Sequence, residues 1–127
     1  MTSIFQKFAN LALVCAALLL PALSISAATQ NETQKLVAID AGAGDEFGDD
    51  VAFDKDIAVI GAMRDDDGGA NSGSAYIFER DPLTGVWSQH TKLSASDPSA
   101  YDYFGISVAL DGNTAVIGAF YDDYSAG

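Results

Sequence analysis

Apolar and polar positions alternate along "GDDVAFD" (48–54), where Val51 and Phe53 stand between polar or small neighbours. That period of two predicts a strand. "IAVIGA" (57–62) is apolar throughout and too short for a helix, so it reads as a second strand, buried on both faces. Between them, Asp54-Lys-Asp56 has the composition of a tight turn. "GSAYIFER" (73–80) predicts a third strand and "DPLTG" (81–85) a turn. "VWSQHTKLSA" (86–95) predicts a fourth strand, with Trp87, Gln89, Thr91 and Leu93 on one side and Ser88, His90 and Lys92 on the other. No segment after residue 28 shows helical periodicity.

The pattern then starts again. Residues 35–70 align without a gap on 92–127 at an offset of 57, and 18 of the 36 positions are identical. Lys35 matches Lys92, Asp45 matches Asp102, Phe47 matches Phe104 and Asp65 matches Asp122. "AVIGA" stands at 58–62 and again at 115–119, with Asp111-Gly-Asn113 as the second copy's turn. A repeat of this length predicts stacked units, each covering an apolar face of the next.

Four antiparallel strands per unit predict an all-β fold, antiparallel four-stranded blades of an incomplete β-propeller, in preference to a sandwich. The inner strands are small and apolar, and the last alternates and carries charge, as an outer edge in solvent should. Counted this way, the chain holds one whole blade and two strands of the next, about one and a half blades. "QKLVAID" (34–40) reads as the closing strand of a preceding blade. Exposed edges and faces at both ends predict that the isolated mature chain needs further blades or self-association.

The first residues change the picture of the compartment. Lys7, the apolar run Leu11–Leu23 and "SISAA" form a secretory signal peptide over 1–28, with a linker at 29–34 and the propeller fragment at 35–127. The alternative, a membrane anchor, would need about 20 apolar residues. Export predicts a secreted, periplasmic or cell-surface protein with no stable membrane span after cleavage. Its one cysteine, Cys15, lies in the leader, so no disulfide can form in the mature chain. The whole chain carries 18 acidic against 6 basic residues, and this argues against a nucleic-acid partner. A solvated acidic surface is the plain reading, and divalent-cation binding the alternative.

Phe-Gly, a strand, a short turn and Val-Ile-Gly-Ala resemble the FG-GAP repeat of integrin α-chain-type β-propellers, found also in many secreted bacterial proteins. Phe47, Gly48, Gly61 and Ala62 carry the motif once; Phe104, Gly105, Gly118 and Ala119 carry it again. The resemblance implies a propeller of interaction type, with the Phe plugging the space between blades and the Gly letting backbones approach. Two departures stand out. Met63 and Phe120 replace the family's Pro, and the family's calcium loop is shortened to Asp54-Lys-Asp56 and Asp111-Gly-Asn113. Calcium takes six to eight oxygens, so the inherited calcium site is expected to be absent and no cofactor is assigned.

"RDDDGGANSG" (64–73) is the remaining metal candidate, with Asp65, Asp66 and Asp67 as calcium ligands; an acidic solvated loop is the plainer reading. His90 stands alone, so neither a zinc site nor a histidine-assisted nucleophile can be assembled, and no catalytic residue is assigned. Tyr101 and Tyr103 lie in a loop and are candidates for a binding surface, whereas Trp87 reads as packing. The expected function is an exported, non-enzymatic module presenting loops to protein or carbohydrate. The alternatives are an accessory propeller piece of a secreted hydrolase or lyase, or a truncated gene product without independent function.

Overall fold

In the computed structural model, residues 32–122 are described; the expected signal-peptide helix lies outside them. Six strands follow one another: β1 (Phe47–Asp54), β2 (Ile57–Ala62), β3 (Ser74–Arg80), β4 (Trp87–Leu93), β5 (Ser107–Asp111) and β6 (Thr114–Gly118). The first four form one antiparallel sheet in sequence order and the last two a second. Among the described residues there is no helix and no closed barrel, and the arrangement is that of an incomplete propeller. No helix there is long and apolar enough to cross a membrane.

The repeat in sequence is a repeat in backbone. Glu46 and Tyr103 have φ of 56° and 55°, Gly48 and Gly105 have 96° and 93°, and Lys55 and Gly112 have 54° and 55°. Asp45 accepts a hydrogen bond from the Gly42 amide, and Asp102, 57 residues on, accepts one from the Ser99 amide. A carboxylate that satisfies its own turn fixes the approach to each Phe-Gly pair.

Each face of the four-stranded sheet has its own cover. Ala58, Ile60, Ala62, Tyr76 and Phe78 form a buried cluster on one face with Ala38, and Leu36, Phe47 and Trp87 pack against it. Phe47 sets its ring edge-on to Tyr76 and Phe78, at 5.5 and 6.0 Å between centres. Its ring therefore packs on the core face of its own sheet. On the other face, Val59 and Ala75 are fully buried. There the two-stranded sheet is held by β1, whose Asp50 and Asp54 accept hydrogen bonds from the Val108 and Gly112 amides at 2.7 and 3.0 Å. The acids of β1 thus turn towards the second blade, and Val51 and Phe53 are left exposed.

Blade meets blade at the glycines. Phe104 forms a parallel bridge with Gly73. A Cβ at Gly61 would collide with the Gly105 carbonyl, and one at Gly105 with the Ser74 carbonyl. The Phe-Gly glycine of the second repeat therefore seats on the Gly-Ala glycine of the first, a contact that only a missing Cβ allows.

Two sequence expectations are corrected. Residues 34–40 are not a strand: the Gln34 side chain accepts from the Trp87 amide and donates to its carbonyl at 2.9 and 2.6 Å. Gln89 accepts from the Ile39 amide in the same way, at 2.9 Å. Side-chain amides thus stand in for ladder rungs along the free edge of β4. The second correction concerns β4 itself. Phe78 pairs with Gln89 and Ile77 with Thr91, so His90 is the extra residue of a bulge. A bulge reverses which side later residues occupy. Gln89 and Lys92 consequently share the face of Phe78 and Tyr76, while Thr91 and Leu93 fall opposite with Ile77 and Ala75.

Candidate functional site

The bulge delivers Lys92 into the loop between β2 and β3. Its ammonium lies 2.7 Å from Asp40, 2.8 Å from Asp65 and 2.6 Å from Asp67, and 5.3 Å from the Tyr76 ring centre. Asp65 is buried and also accepts the Tyr76 hydroxyl proton at 2.8 Å and the Asp67 amide at 3.0 Å. Burial works to raise the Asp65 pKa, but these donors, with Lys92 first, hold it below the ordinary 3.8. Burial likewise works to lower Lys92, and the hydrogen bonds it donates to Asp40, Asp65 and Asp67 outweigh it and raise its pKa. Tyr76 is pushed up, first by burial and then by the hydrogen bond to Asp65. Three carboxylates thus converge on one ammonium.

One oxygen from each of Asp40, Asp65 and Asp67 lies within 4.8 Å of the others, close enough to share a cation. Lys92 supplies that charge from within the chain. Of the three consecutive acids in the sequence, Asp65 and Asp67 meet at this point, whereas Asp66 turns away and accepts from the Asn71 amide at 2.6 Å. Asp40 and Lys92 were not foreseen as partners. Their separation of 52 residues gives no local signal, though the recurrence of both in the repeat, as Lys35 and Asp97, marks them.

The hairpin turns do not fit calcium. Asp54 pairs with Ile57 and Asp111 with Thr114, which leaves two residues in each turn. Asp56 is engaged with Arg80 at 2.6 Å, and Asp54 reaches for the second blade. Their oxygens diverge, and calcium needs convergent ones.

Tyr101 and Tyr103 lie at a junction of three loops. Tyr101 donates its amide to Ala70 and Tyr103 donates to Asn71, at 2.8 and 3.2 Å, and Tyr121 donates to Asp102 at 3.3 Å. The loops after β2, β4 and β6 are therefore laced by backbone bonds into one surface. Tyr121 joins the other two tyrosines. Ring centres of Tyr101 and Tyr103 are 6.4 Å apart, and those of Tyr103 and Tyr121 are 6.0 Å apart. These three with Ala100 line a pocket of about 270 Å³.

The motif residues hold the architecture. Gly61 and Gly105 form the blade contact described above, Ala62 is buried, and Gly118 and Ala119 repeat these positions half-buried at the end of β6. Gly48 has nothing within 4 Å of its Cβ position among the described residues. His90 is exposed at the bulge, 3.4 Å from Glu79.

Comparisons with known proteins agree with the repeat. The family model of the FG-GAP repeat matches residues 31–78 and 87–127. No curated protein and no solved structure matched. With the family model covering both copies of the motif and most of the chain, the protein belongs to the FG-GAP repeat family.

Proposed function

We propose that this chain is an exported, non-enzymatic interaction module that presents the loops at one end of its blades to a protein or carbohydrate partner. FG-GAP repeats build β-propeller-like interaction modules, and this chain has two copies of the motif. The observation that carries the reading is the lacing of three loops into one surface by the Tyr101, Tyr103 and Tyr121 amides. Loops held rigidly on a sheet scaffold are where binding surfaces concentrate. Tyrosine suits such a surface, because it offers a large rigid contact and a polar tip at low entropic cost. The leader sequence, Lys7 with the apolar run to Leu23, supports export.

The test is a glycan array and a panel of cell-surface proteins probed with the full chain. Binding is expected to fall on Tyr101→Ala and to survive His90→Ala on the outer strand. Binding indifferent to Tyr101, or turnover of any glycan, would overturn the reading.

A further inference from the structure

We propose that Tyr101, Tyr103 and Tyr121 form an aromatic corner that receives a quaternary ammonium group. The inference rests on the reading above that these loops are the contact surface, and it names the ligand chemistry.

The second repeat has replaced what the first repeat carries at these positions. Position 44 is Gly where 101 is Tyr, position 46 is Glu where 103 is Tyr, and position 64 is Arg where 121 is Tyr. In the first repeat Arg64 and Glu46 close on each other as an ion pair at 3.2 Å. The same scaffold position in the second repeat holds the Tyr103–Tyr121 pair, so a self-satisfied contact has become an open aromatic one. Phe120, where the first repeat has Met63, braces Tyr121 edge-on at 4.4 Å.

Tyr101 stands at φ 72° and Tyr103 at φ 55°, in the left-handed region that bulky side chains rarely adopt. At the Tyr101 position the first repeat uses glycine, Gly44 with φ 101°, which accepts a positive φ freely. A tyrosine there incurs backbone strain and still leaves 55% of its surface exposed. Packing therefore does not account for it.

Ring geometry decides the ligand. Tyr101 and Tyr103 are tilted by 49°, and Tyr103 and Tyr121 by 53°. A flat sugar face stacks on a flat platform, and rings inclined at these angles around the pocket they line with Ala100 offer a corner instead. A compact, convex cation fits such a corner and meets the negative faces of several rings at once. Charge points the same way. The chain carries a net charge of −12 and Asp122 directly follows Tyr121, so the surrounding field draws cations towards the pocket.

The test is proton NMR of choline with the full chain. Its N-methyl signal is expected to move upfield under the ring currents, with a dissociation constant on the order of millimolar. The uncharged isostere 3,3-dimethylbutan-1-ol is expected to show no such shift. A Tyr103→Glu, Tyr121→Arg double variant places the first repeat's ion-paired residues at the matching positions. It is expected to weaken choline binding more than about fivefold, while Tyr103→Phe keeps it. Equal binding of the isostere, binding of cellobiose in place of choline, or no choline shift in a folded chain would each overturn the proposal. If choline fails while Tyr101→Ala still abolishes a protein or glycan contact, the ammonium inference falls and the interaction-module reading stands.

Discussion

Lys92 Nζ lies 2.8 Å from Asp65 Oδ2, so one ammonium joins the end of β4 to the start of the β2–β3 loop. The pair is nearly withdrawn from solvent on the Asp65 side, whose side chain is only 4% exposed. Removing one partner of such a pair leaves the other charge buried and uncompensated. Lys92→Met is expected to destabilise the full chain by about 3 kcal/mol, read from urea unfolding.

The same cluster sets the acid limit of stability. Asp65 and Asp40 are held below the ordinary 3.8, so their contribution is complete above that pH and is lost as pH falls through their folded values. Lys92 is raised above 10.5, so its contribution is complete below that pH and is lost only as pH climbs beyond it. Between these limits the cluster adds no slope. A melting temperature that is level from about pH 5.5 to 9 and drops below pH 4 is expected. In Lys92→Met the drop should begin at higher pH, because burial then acts on Asp65 without its principal counter-charge.

Gly61 and Gly118 occupy the same place in the two repeats and should respond differently to a methyl group. Gly61→Ala drives a Cβ into the Gly105 carbonyl, which is backbone of the second blade and cannot step aside. At Gly118 the nearest atom is the Ser107 hydroxyl, which can rotate. Gly61→Ala is expected to cost about 3 kcal/mol and Gly118→Ala less than about 1 kcal/mol in parallel urea titrations. Equal costs would show that the blade contact does not run through this glycine.

The architecture was legible in the sequence because its determinants are local or repeated. Period-two alternation marks β1, and the doubled "AVIGA" marks the inner strands of both blades. What escaped depended on single insertions and distant pairs. His90 breaks the alternation of β4 without any compositional sign, and the error propagated to every residue after it, Lys92 included. The segment 34–40 has strand-like composition, yet Gln34 and Gln89 satisfy its edge with side chains and no ladder forms. The third tyrosine of the loop pocket arrives from beyond β6, and only the fold brings Tyr121 beside Tyr103.

The bulge itself can be tested. His90→Ala keeps the residue count and removes only an exposed ring, so it is expected to change stability by less than about 0.5 kcal/mol. Deleting His90 removes the extra residue, so strict alternation after Gln89 keeps Thr91 opposite Ile77 and Lys92 opposite Tyr76, on the side of Asp65. The deletion is therefore expected to lower the melting point at neutral pH by much less than Lys92→Met does. A deletion variant as unstable as Lys92→Met would show that the bulge does more than set the side on which Lys92 falls.

Calcium provides the last discrimination. Three carboxylate oxygens within 4.8 Å would ordinarily invite a divalent ion, but here the Lys92 ammonium is within hydrogen-bonding distance of all three carboxylates. A calcium ion would have to displace a cation covalently tethered to the site, and the protein supplies few further oxygens of the six to eight required. Millimolar calcium is therefore expected to leave the melting temperature of the parent chain unchanged relative to EDTA. In Lys92→Met the three acids lose their counter-ion, and calcium is expected to recover part of the lost stability by binding the folded state alone. A calcium-dependent rise in the parent would mean that Lys92 yields its place, and the ion cluster would then have to be read as a metal site.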